Sequence, residues 1–256
     1  MSGISFVIRA RNEEATLEKS IRSLFALTIP HEIVVVLHLC TDRSKEIVEA
    51  LQRENDKIKI YEFDVEVSKP GYETLATDVG SEHSFIRYSN WCIQKATLPW
   101  IFRWDADFVA SGGLLRFLNE REWSCTSGQY YLEARNSVHN NREMYLICGL
   151  SNYCKYLFWE VPYYISYIGS SPSSAPDDAY IEHASELGNV KQFWKRTPWY
   201  ETEDSDEART VKDRIARLTA EFGEEPHAMA RAGYKACDSL QWAILSAKPD
   251  YVRIHE

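Results

Sequence analysis

The sequence predicts an α/β fold in which a mostly parallel central sheet is flanked by helices. Strand-like and helix-like segments alternate through residues 4–63, an order that produces right-handed crossovers and a parallel sheet. Within that stretch, residues 33–37 form a nearly continuous apolar run, as expected of a strand buried on both faces. A further apolar segment, residues 100–104, ends in two aspartates one residue apart, Asp105 and Asp107. These three observations define the fold class.

The first strand and the first helix follow from the start of the chain. Residues 4–8 are β-branched and aromatic, which predicts a strand. Either Asn12 or Thr16 can serve as the N-cap of the helix that follows. The helix is predicted because apolar side chains recur at helical spacing, at Leu17, Ile21, Leu24 and Phe25.

The second strand, residues 33–37, precedes a helix that starts within residues 41–44. Residues 58–63 then alternate in polarity and predict a third strand. Residues 66–80 are loop-like, with Lys69-Pro70-Gly71 at their centre.

A third helix, capped by Ser81 or Ser84, is expected to end before Pro99, where the strand that delivers Asp105 and Asp107 begins. Beyond these aspartates, apolar spacing over residues 114–118 predicts a helix, and residues 124–134 are typical of a strand. We found no repeat or linker in the sequence, and we therefore predict a single domain over residues 1–256.

The second half of the chain has fewer signals. It is rich in tyrosine and contains a small-residue loop, residues 169–176, which ends in Asp177-Asp178. Residues 179–181 are predicted to begin a helix, and an amphipathic helix is predicted around residues 211–222.

Composition excludes several classes of function. The chain has 256 residues, a net charge of −9 and six cysteines without C-x-x-C pairing, and its sequence pI is about 5.4. An acidic protein of this kind is not expected to bind nucleic acid. No signal peptide and no apolar run of transmembrane length is visible, and the cysteines are expected to be reduced thiols. We therefore expect a cytoplasmic protein with no transmembrane segment.

The two aspartates after the fourth strand predict a metal site. Ligands bind at the carboxyl ends of parallel strands in open α/β sheets, and two nearby carboxylates can share one divalent cation. Mg²⁺ characteristically takes one or two carboxylates and leaves its other positions to water and phosphate. The alternative is a solvated acidic turn.

Three strand-end motifs resemble those of the family 2 glycosyltransferases. They are Arg11-Asn12-Glu13-Glu14 after the first strand, Thr41-Asp42-Arg43-Ser44 after the second, and Asp105-Ala106-Asp107 after the fourth. The spaced apolar residues and Ser23-Leu24 of the first helix belong to the same resemblance, which covers roughly residues 4–110. It implies a GT-A fold, Rossmann-like, in which residues 1–110 bind a nucleotide sugar and residues 111–256 form a helical or irregular acceptor side.

The resemblance also implies roles for single residues of the donor site. Glu13 and Asp42 would accept hydrogen bonds from the base and the ribose, and Ala10 and Arg11 would line the nucleotide cleft. Glu13 and Asp42 could instead be ordinary helix-start residues, and both roles can coexist.

The D-x-D segment and the helix before it complete the donor site that the family implies. Asp105 would face the ribose or a metal-bound water, beside Ala106, while Asp107 would bind Mn²⁺ or Mg²⁺ directly. Arg87 would contact the diphosphate or the donor sugar, or would be an ordinary surface residue. His183 or His227 could supply a third metal ligand, although a lone histidine usually does not.

An inverting transfer needs a base for the acceptor hydroxyl. In the family this base is an acid downstream of the D-x-D segment, and Asp178 is the best match, closely followed by Asp177. Glu160 is a weaker candidate. A basic cluster, Lys191, Lys195 and Arg196, could touch phosphate or could be a solvated surface.

The donor and the rival functions are the remaining alternatives. A UDP-sugar is favoured, but His38-Leu39-Cys40 stands where the family usually carries acids, which leaves dTDP and GDP open; the acceptor is a glycan or a small molecule. A dehydrogenase would need a G-x-G-x-x-G segment after the first strand, and none is present there. A sugar nucleotidyltransferase, or a catalytically silent protein that binds a sugar or a nucleotide with the same fold, stays as the alternative.

Overall fold

The structure is a computed structural model that describes residues 2–123, 128–135, 142–149, 158–161, 164–167, 173–183 and 196–224, together with residues 228, 231, 232 and 235. The chain forms two compact units. The first comprises the described residues within Met1–Asp64, Cys92–Cys154 and Gly169–Phe193, and the second those within Val65–Trp91, Lys155–Ile168 and Trp194–Glu256. The predicted functional division at residue 110 stays a prediction.

The first unit is built on one mixed sheet. Its described strands are β1 (Ile4–Ala10), β2 (His31–His38), β3 (Ile58–Phe63), β4 (Trp100–Asp105), β5 (Phe108–Ala110), β6 (Gly128–Arg135), β7 (Arg142–Gly149), β10 (Ser173–Ser174) and β11 (Tyr180–His183). The strand order is β3-β2-β1-β4-β7-β6-β11-β5, with β10 paired to β6. Strands β3, β2, β1 and β4 are mutually parallel, and β7 is antiparallel to both β4 and β6. The predicted α/β class with a mostly parallel central sheet is confirmed.

Three helices of the first unit are α1 (Leu17–Ser23), α2 (Ser44–Glu54) and α5 (Gly112–Asn119). Their apolar faces belong to the same core cluster as one face of the sheet, with Ile21, Val48 and Leu114 each fully buried. Aromatic rings of β1 and β4 pack edge to face in this core; the Phe6 and Trp104 centroids are 5.8 Å apart. Such pairs add to the stability that simple area burial provides.

A buried ion pair closes the other end of the sheet. Glu32, which is 4% exposed, accepts hydrogen bonds from Ser5 Oγ at 2.6 Å and Thr97 Oγ1 at 2.8 Å, and pairs with Lys59 Nζ at 2.5 Å. The pKa of Glu32 is lowered because these hydrogen bonds outweigh the effect of its burial. Charge and hydrogen bonds are therefore satisfied at the amino ends of the strands, away from the carboxyl ends where ligands are expected.

The second unit contains α3 (Tyr72–Ala76), α6 (Trp199–Thr202), α7 (Asp206–Phe222) and a hairpin of β8 (Phe158–Val161) with β9 (Tyr164–Tyr167). Helix α4 (Phe85–Ile93) spans the boundary between the units in sequence. Trp199 is 2% exposed and stacks on His83, with ring centroids 3.9 Å apart. No helix among the described residues has the length and apolar character needed to cross a membrane.

Two elements differ from their predictions. Residues 66–80 were expected to form a loop, but Tyr72–Ala76 within them forms helix α3. Residues 179–181 were expected to begin a helix, but Tyr180–His183 forms strand β11. This strand pairs with β6 on one side and with β5 on the other. Tertiary pairing thus outweighs the local helix signal, and Tyr180 and Ile181 have the aromatic and β-branched side chains that a strand favours.

Candidate active site

The candidate site lies where β1, β2 and β4 end. Ala10 pairs with Leu37 of β2, and Arg9 pairs with Asp105 of β4, so the loops that follow the three strands leave the sheet at the same edge. The sequence motifs at residues 11–14, 41–44 and 105–107 are thereby brought to one edge, as the parallel order predicts.

The first two loops hold each other through a side chain that was expected to cap α1. Asn12 Oδ1 accepts hydrogen bonds from the backbone N–H groups of Thr41 at 2.7 Å and Asp42 at 3.3 Å. Asn12 has a φ of 58°, a conformation that asparagine tolerates better than most residues. Thr16 occupies the N-cap of α1 without a side-chain hydrogen bond. Asn12 therefore fixes the second loop rather than its own helix.

Asp42 has the helix-start role. Its Oδ1 accepts from Ser44 N–H at 3.0 Å and its Oδ2 accepts from Glu14 N–H at 2.9 Å. Burial acts to raise the pKa of Asp42, but the hydrogen bonds from Ser44 and Glu14 prevail and lower it. Asp42 is thus ionised and held between the first two loops, and an ionised carboxylate has lone pairs left for a ligand hydroxyl.

Glu13 carries a carboxyl group whose pKa is strongly raised. Its backbone N–H donates to Ser44 Oγ at 2.8 Å. Burial, and then the negative charges of Asp107, Asp105 and Asp42, raise the pKa of Glu13 to about 7. The three aspartates therefore lie close enough to Glu13 for their charges to disfavour its ionised form.

This pKa predicts a pH dependence of stability. The folded state favours protonated Glu13, so the contribution of this group to stability is complete below its ordinary pKa near 4.5 and is lost as the pH rises through about 7. We expect the metal-free protein to lose melting temperature between about pH 5 and pH 8, and Glu13→Gln to lose less, because glutamine does not ionise. Thermal unfolding across this range measures the effect.

Glu46→Gln, at an exposed position of α2, is the matched control and should follow the wild-type curve. Equal pH dependence in Glu13→Gln and the wild type would contradict the assigned pKa.

Two serines of α1 fix the segment that holds the D-x-D aspartates. Ser20 Oγ accepts from Trp104 Nε1 at 2.9 Å and donates to the carbonyl of Asp105 at 3.3 Å. Ser23 Oγ accepts from the backbone N–H of Ala110 at 3.1 Å. Sequence patterns did not single out Ser20. Its place one helical turn before Leu24, on the predicted buried face of α1, could have indicated a buried hydrogen-bonding role.

Asp107 and His183 form a close pair across the edge of the sheet. The turn after β4 presents Asp107, and β5 pairs with β11 so that Phe108 lies opposite His183. Asp107 Oδ2 is 3.0 Å from His183 Nε2, and the two side chains are 18% and 21% exposed. The Phe108 ring packs edge to face against His183, with centroids 5.3 Å apart. Topology therefore joins two residues that are distant in sequence.

The donor set fits a divalent cation that also binds a ligand. No group of three His, Cys, Asp or Glu side chains in metal-holding geometry occurs within the described ranges. Asp107 and His183 can supply two ligands, and Mg²⁺ or Mn²⁺ commonly takes few protein ligands and completes its shell with phosphate and water. An imidazole beside a carboxylate suits Mn²⁺ better than Mg²⁺.

The predicted base residues lie in the turn that leads into β11. Ser111 Oγ donates to the carbonyl of Asp178 at 3.3 Å, and Arg135 Nη2 donates to the carbonyl of Asp177 at 2.7 Å. A Cβ added to Gly113 would approach the Asp178 carbonyl to 1.8 Å, so this backbone packs closely on the start of α5. Both aspartates are exposed, and Arg116 Nη2 lies 3.6 Å from Asp178 Oδ2.

The turn precedes the start of β11, whereas His183 is the last residue of that strand. Asp178 precedes His183 by five residues, which spans up to about 16 Å along an extended strand. The assignment of the base to Asp178 or Asp177 stays a prediction.

The other predicted donor-site residues are placed as follows. Ala10 and Ala106 are buried, and the Ala10 carbonyl accepts from Cys40 Sγ at 3.3 Å. Arg11 Nη1 is 3.5 Å from His38 Nε2. Arg87 belongs to the second unit, where its Nη1 donates to the carbonyl of Gly80 at 3.1 Å.

The weaker candidates for phosphate, base and metal roles lie in the second unit or outside the described residues. Arg196 Nη2 donates to the carbonyl of Val67 at 2.8 Å, and Arg196 also pairs with Glu66, within the second unit. Lys69 Nζ lies 3.6 Å from Glu73 Oε1 and is nearly buried. Glu160 lies on β8. His227, Lys191 and Lys195 lie outside the described residues.

Comparison with known proteins gives a family match for the first quarter of the chain. Residues 5–69, about a quarter of the chain, match the family profile described as "Glycosyl transferase family 2". A comparison with curated proteins gives no significant match.

Solved structures share the fold at low sequence identity. TarS residues 1–349 of S. aureus in complex with UDP-GlcNAc has 14% identity and a TM-score of 0.54, over 86% of this chain and 73% of that one. The same TarS fragment with UDP has 14% identity and a TM-score of 0.51, over 86% and 72%. The mannosyltransferase PcManGT of Pyrobaculum calidifontis, in complex with GDP-Man and Mn²⁺, has 13% identity and a TM-score of 0.48, over 97% and 84%.

The TarS likeness agrees with the parallel sheet β3-β2-β1-β4 and shows a fold of the GT-A type. The family profile matches the part of the chain that contains β1, β2, β3 and the first two strand-end loops. The chain thus has a fold of the GT-A type, its residues 5–69 are similar to the family 2 glycosyltransferases, and its D-x-D segment follows a strand of the same parallel sheet.

Proposed function

We propose that this protein transfers a sugar, with inversion, from a nucleotide-diphosphate sugar to an acceptor hydroxyl, and that it requires Mn²⁺ or Mg²⁺. The observation that carries the proposal is the convergence of Glu13, Asp42, Asp105 and Asp107 at one sheet edge, with His183 3.0 Å from Asp107. So many carboxylates near one point favour a cation, and the cation in turn favours a diphosphate.

The metal would be held by Asp107 and His183. When bound, a divalent cation neutralises the diphosphate and the charge that develops on the departing nucleotide. The protein supplies the positions of its ligands: Ser20 fixes the carbonyl of Asp105 in the turn, and Phe108 packs against the imidazole of His183. Fixed ligands of this kind cost little reorganisation during the reaction.

The nucleoside would lie against the first two loops. Asp42 and Glu13 would accept hydrogen bonds from the ribose and the base, beside Ala10 and Arg11. The predicted role of Arg87 at the diphosphate or the donor sugar rests on the sequence resemblance alone. The mutual hydrogen bonds of Asn12, Asp42 and Glu14 support this arrangement, because they fix the cleft edge before a ligand arrives. Such preorganisation lowers the entropic cost of binding.

The base would be Asp178, with Asp177 as the second candidate. The turn that carries them is tied through its backbone to Ser111 and Arg135, while both side chains face solvent. Exposed carboxylates on a fixed backbone are available to an incoming acceptor, which would be a glycan or a small molecule.

Donor choice is tested by thermal shift with UDP, dTDP and GDP, each with and without Mn²⁺. A UDP-sugar is the first choice, and the TarS structures in complex with UDP-GlcNAc and UDP are the fold relatives in its favour. We expect UDP with Mn²⁺ to raise the melting temperature, since ligand at about 100 times its Kd adds about 2.7 kcal/mol.

Mn²⁺ alone and UDP with chelator serve as controls for this shift. If no nucleotide stabilises the protein in a metal-dependent manner, the donor-site assignment fails. With the preferred nucleotide known, slow hydrolysis of its sugar conjugates then identifies the donor sugar. We further propose a cytoplasmic setting, on the cysteine usage of the sequence.

A further inference from the structure

The turn that carries Asp177 and Asp178 is held by an arginine at the end of a neighbouring strand. Arg135 is the last residue of β6, which pairs in parallel with β11. Its Nη2 donates to the carbonyl of Asp177 at 2.7 Å, and its Nε donates to Glu133 Oε2 at 2.8 Å. The guanidinium also lies over the Tyr180 ring, with Cζ 4.0 Å from the ring centroid. One side chain thus joins the turn to both strands.

These three contacts use the properties that distinguish arginine from lysine. A planar guanidinium presents several donors in a fixed fork and can stack on an aromatic ring at the same time. The ring contact and the hydrogen bond to Glu133 fix the plane of the Arg135 guanidinium, so Nη2 keeps one direction toward the turn. The Arg135 side chain is 38% exposed, and a partly exposed ion pair contributes little to folding stability. Loss of this side chain should therefore act locally, on the turn.

A second attachment lies on the other side of the same turn. Ser111 Oγ donates to the carbonyl of Asp178 at 3.3 Å and accepts from the backbone N–H of Tyr180 at 3.2 Å. The backbone N–H of Ser111 donates to the Tyr180 carbonyl at 3.3 Å. Gly113 leaves the space that the Asp178 carbonyl occupies, since a Cβ there would approach this oxygen to 1.8 Å. The turn is thus held from two sides, by Arg135 and by Ser111.

Both attachments reach the turn through its backbone. The side chains of Asp177 and Asp178 are exposed, and Arg116 Nη2 lies 3.6 Å from Asp178 Oδ2, which is longer than a hydrogen bond. A general base must come within hydrogen-bond reach of the proton that it removes. The backbone that carries the carboxylate decides whether it does, and Arg135 holds this backbone.

We propose that Arg135 is a positioning residue of the acceptor side, which holds the turn so that the carboxylate of Asp178, or that of Asp177, reaches the acceptor hydroxyl. In this role the guanidinium touches no reacting atom and acts through the backbone of the turn. The inference rests on the proposed function, because it requires the base to lie in this turn. Loss of the guanidinium should then slow the chemical step and leave donor binding unchanged.

The first test measures the turn itself, by hydrogen–deuterium exchange in Arg135→Met. We expect the amides of residues 178–180 to exchange about tenfold faster than in the wild type, because the turn opens more often without its charge-assisted hydrogen bond. Arg121→Met is the matched control. Arg121 lies over the ring of Tyr130, near the start of β6, with Cζ 4.6 Å from the centroid. This variant removes the same charge and the same kind of ring contact, and exchange in the turn should not change.

The second test follows the release of UDP from UDP-GlcNAc in the presence of Mn²⁺, with water as the acceptor. We expect kcat of Arg135→Met to fall by about 10²-fold, the cost of misplacing a catalytic group by about 1 Å. The KM for UDP-GlcNAc should stay at the wild-type value, because the donor site is intact. Rates are normalised to the protein that binds UDP, so that unfolded protein does not count as lost catalysis. Arg121→Met should change neither constant.

Replacement of both aspartates supplies the coupling test. In the background that carries Asp177→Asn and Asp178→Asn together, Arg135→Met should lower kcat by no more than about twofold, because Arg135 acts through those carboxylates. Arg135→Lys keeps the charge and loses the fork and the flat ring contact, so it should behave as Arg135→Met does in both tests. The lysine variant takes the place of Arg135→Met if the methionine variant fails to fold.

Three results would overturn the inference: unchanged exchange at residues 178–180 when Arg135 is replaced, unchanged kcat, or an equal loss of kcat in the background without the two carboxylates. A wild-type protein that releases no UDP from UDP-GlcNAc would instead count against the proposed function. The exchange experiment would still decide whether Arg135 holds the turn.

Discussion

Asp107→Asn is expected to lower sugar transfer by about 10³-fold, because a metal that neutralises a diphosphate contributes several kcal/mol to transition-state stabilisation. Asparagine keeps the shape of the side chain and removes its charge, so the cation loses its anionic ligand. Asp107 is only 18% exposed and sits 3.0 Å from His183; the effect should therefore be local. Transfer or donor hydrolysis is measured against Mn²⁺ concentration, together with the UDP-induced shift in melting temperature.

His183→Ala should raise the Mn²⁺ concentration that the reaction requires. Asp56→Asn, at an exposed site between α2 and β3, makes the same change of charge far from the pair and should leave the Mn²⁺ dependence intact. If Asp107→Asn shows the same Mn²⁺ dependence as the wild type, Asp107 is not a metal ligand.

Asp178→Asn is expected to retain nucleotide binding and to lose transfer by about 10²- to 10⁴-fold, the usual contribution of a general base. The carboxylate is exposed and its backbone is held by Ser111, so an amide should not disturb the fold. UDP affinity and transfer rate are measured on the same preparation. This separates loss of the base from loss of the donor site.

Asp177→Asn distinguishes the two candidates. Glu182→Gln, an exposed acid on the strand that follows this turn, is the matched control that should change neither quantity. Unchanged turnover in both aspartate variants would move the base to another residue.

The local signals of the first half of the chain were strong, and the structure confirms the elements they predict. Strand β3 begins and ends at the predicted residues, Ile58 and Phe63. Strand β2 was predicted at 33–37 and extends over His31–His38, because polar ends of a strand carry no periodic signal although their backbone still pairs. Continuous apolar runs such as residues 33–37 strongly favour a buried strand, which is why strand β2 was predicted correctly.

Residues 179–183 show where local signals fail. Two acids before an alanine resemble a helix start, yet the segment pairs with β5 and β6. Pairing with strands that are about 50 and 70 residues earlier is a long-range event that no local window contains.

The sequence by itself determined the parallel α/β order, the family resemblance and the identity of the acids at the three strand ends, since these depend on composition and short-range periodicity. Only the tertiary structure decided which side chains meet. It joined His183 to Asp107, tied Asn12 to the second loop, and placed Arg135 against the turn of Asp177 and Asp178. Such contacts depend on strand register and on the side of the sheet that each residue faces, and both are fixed by the pairing of the whole sheet.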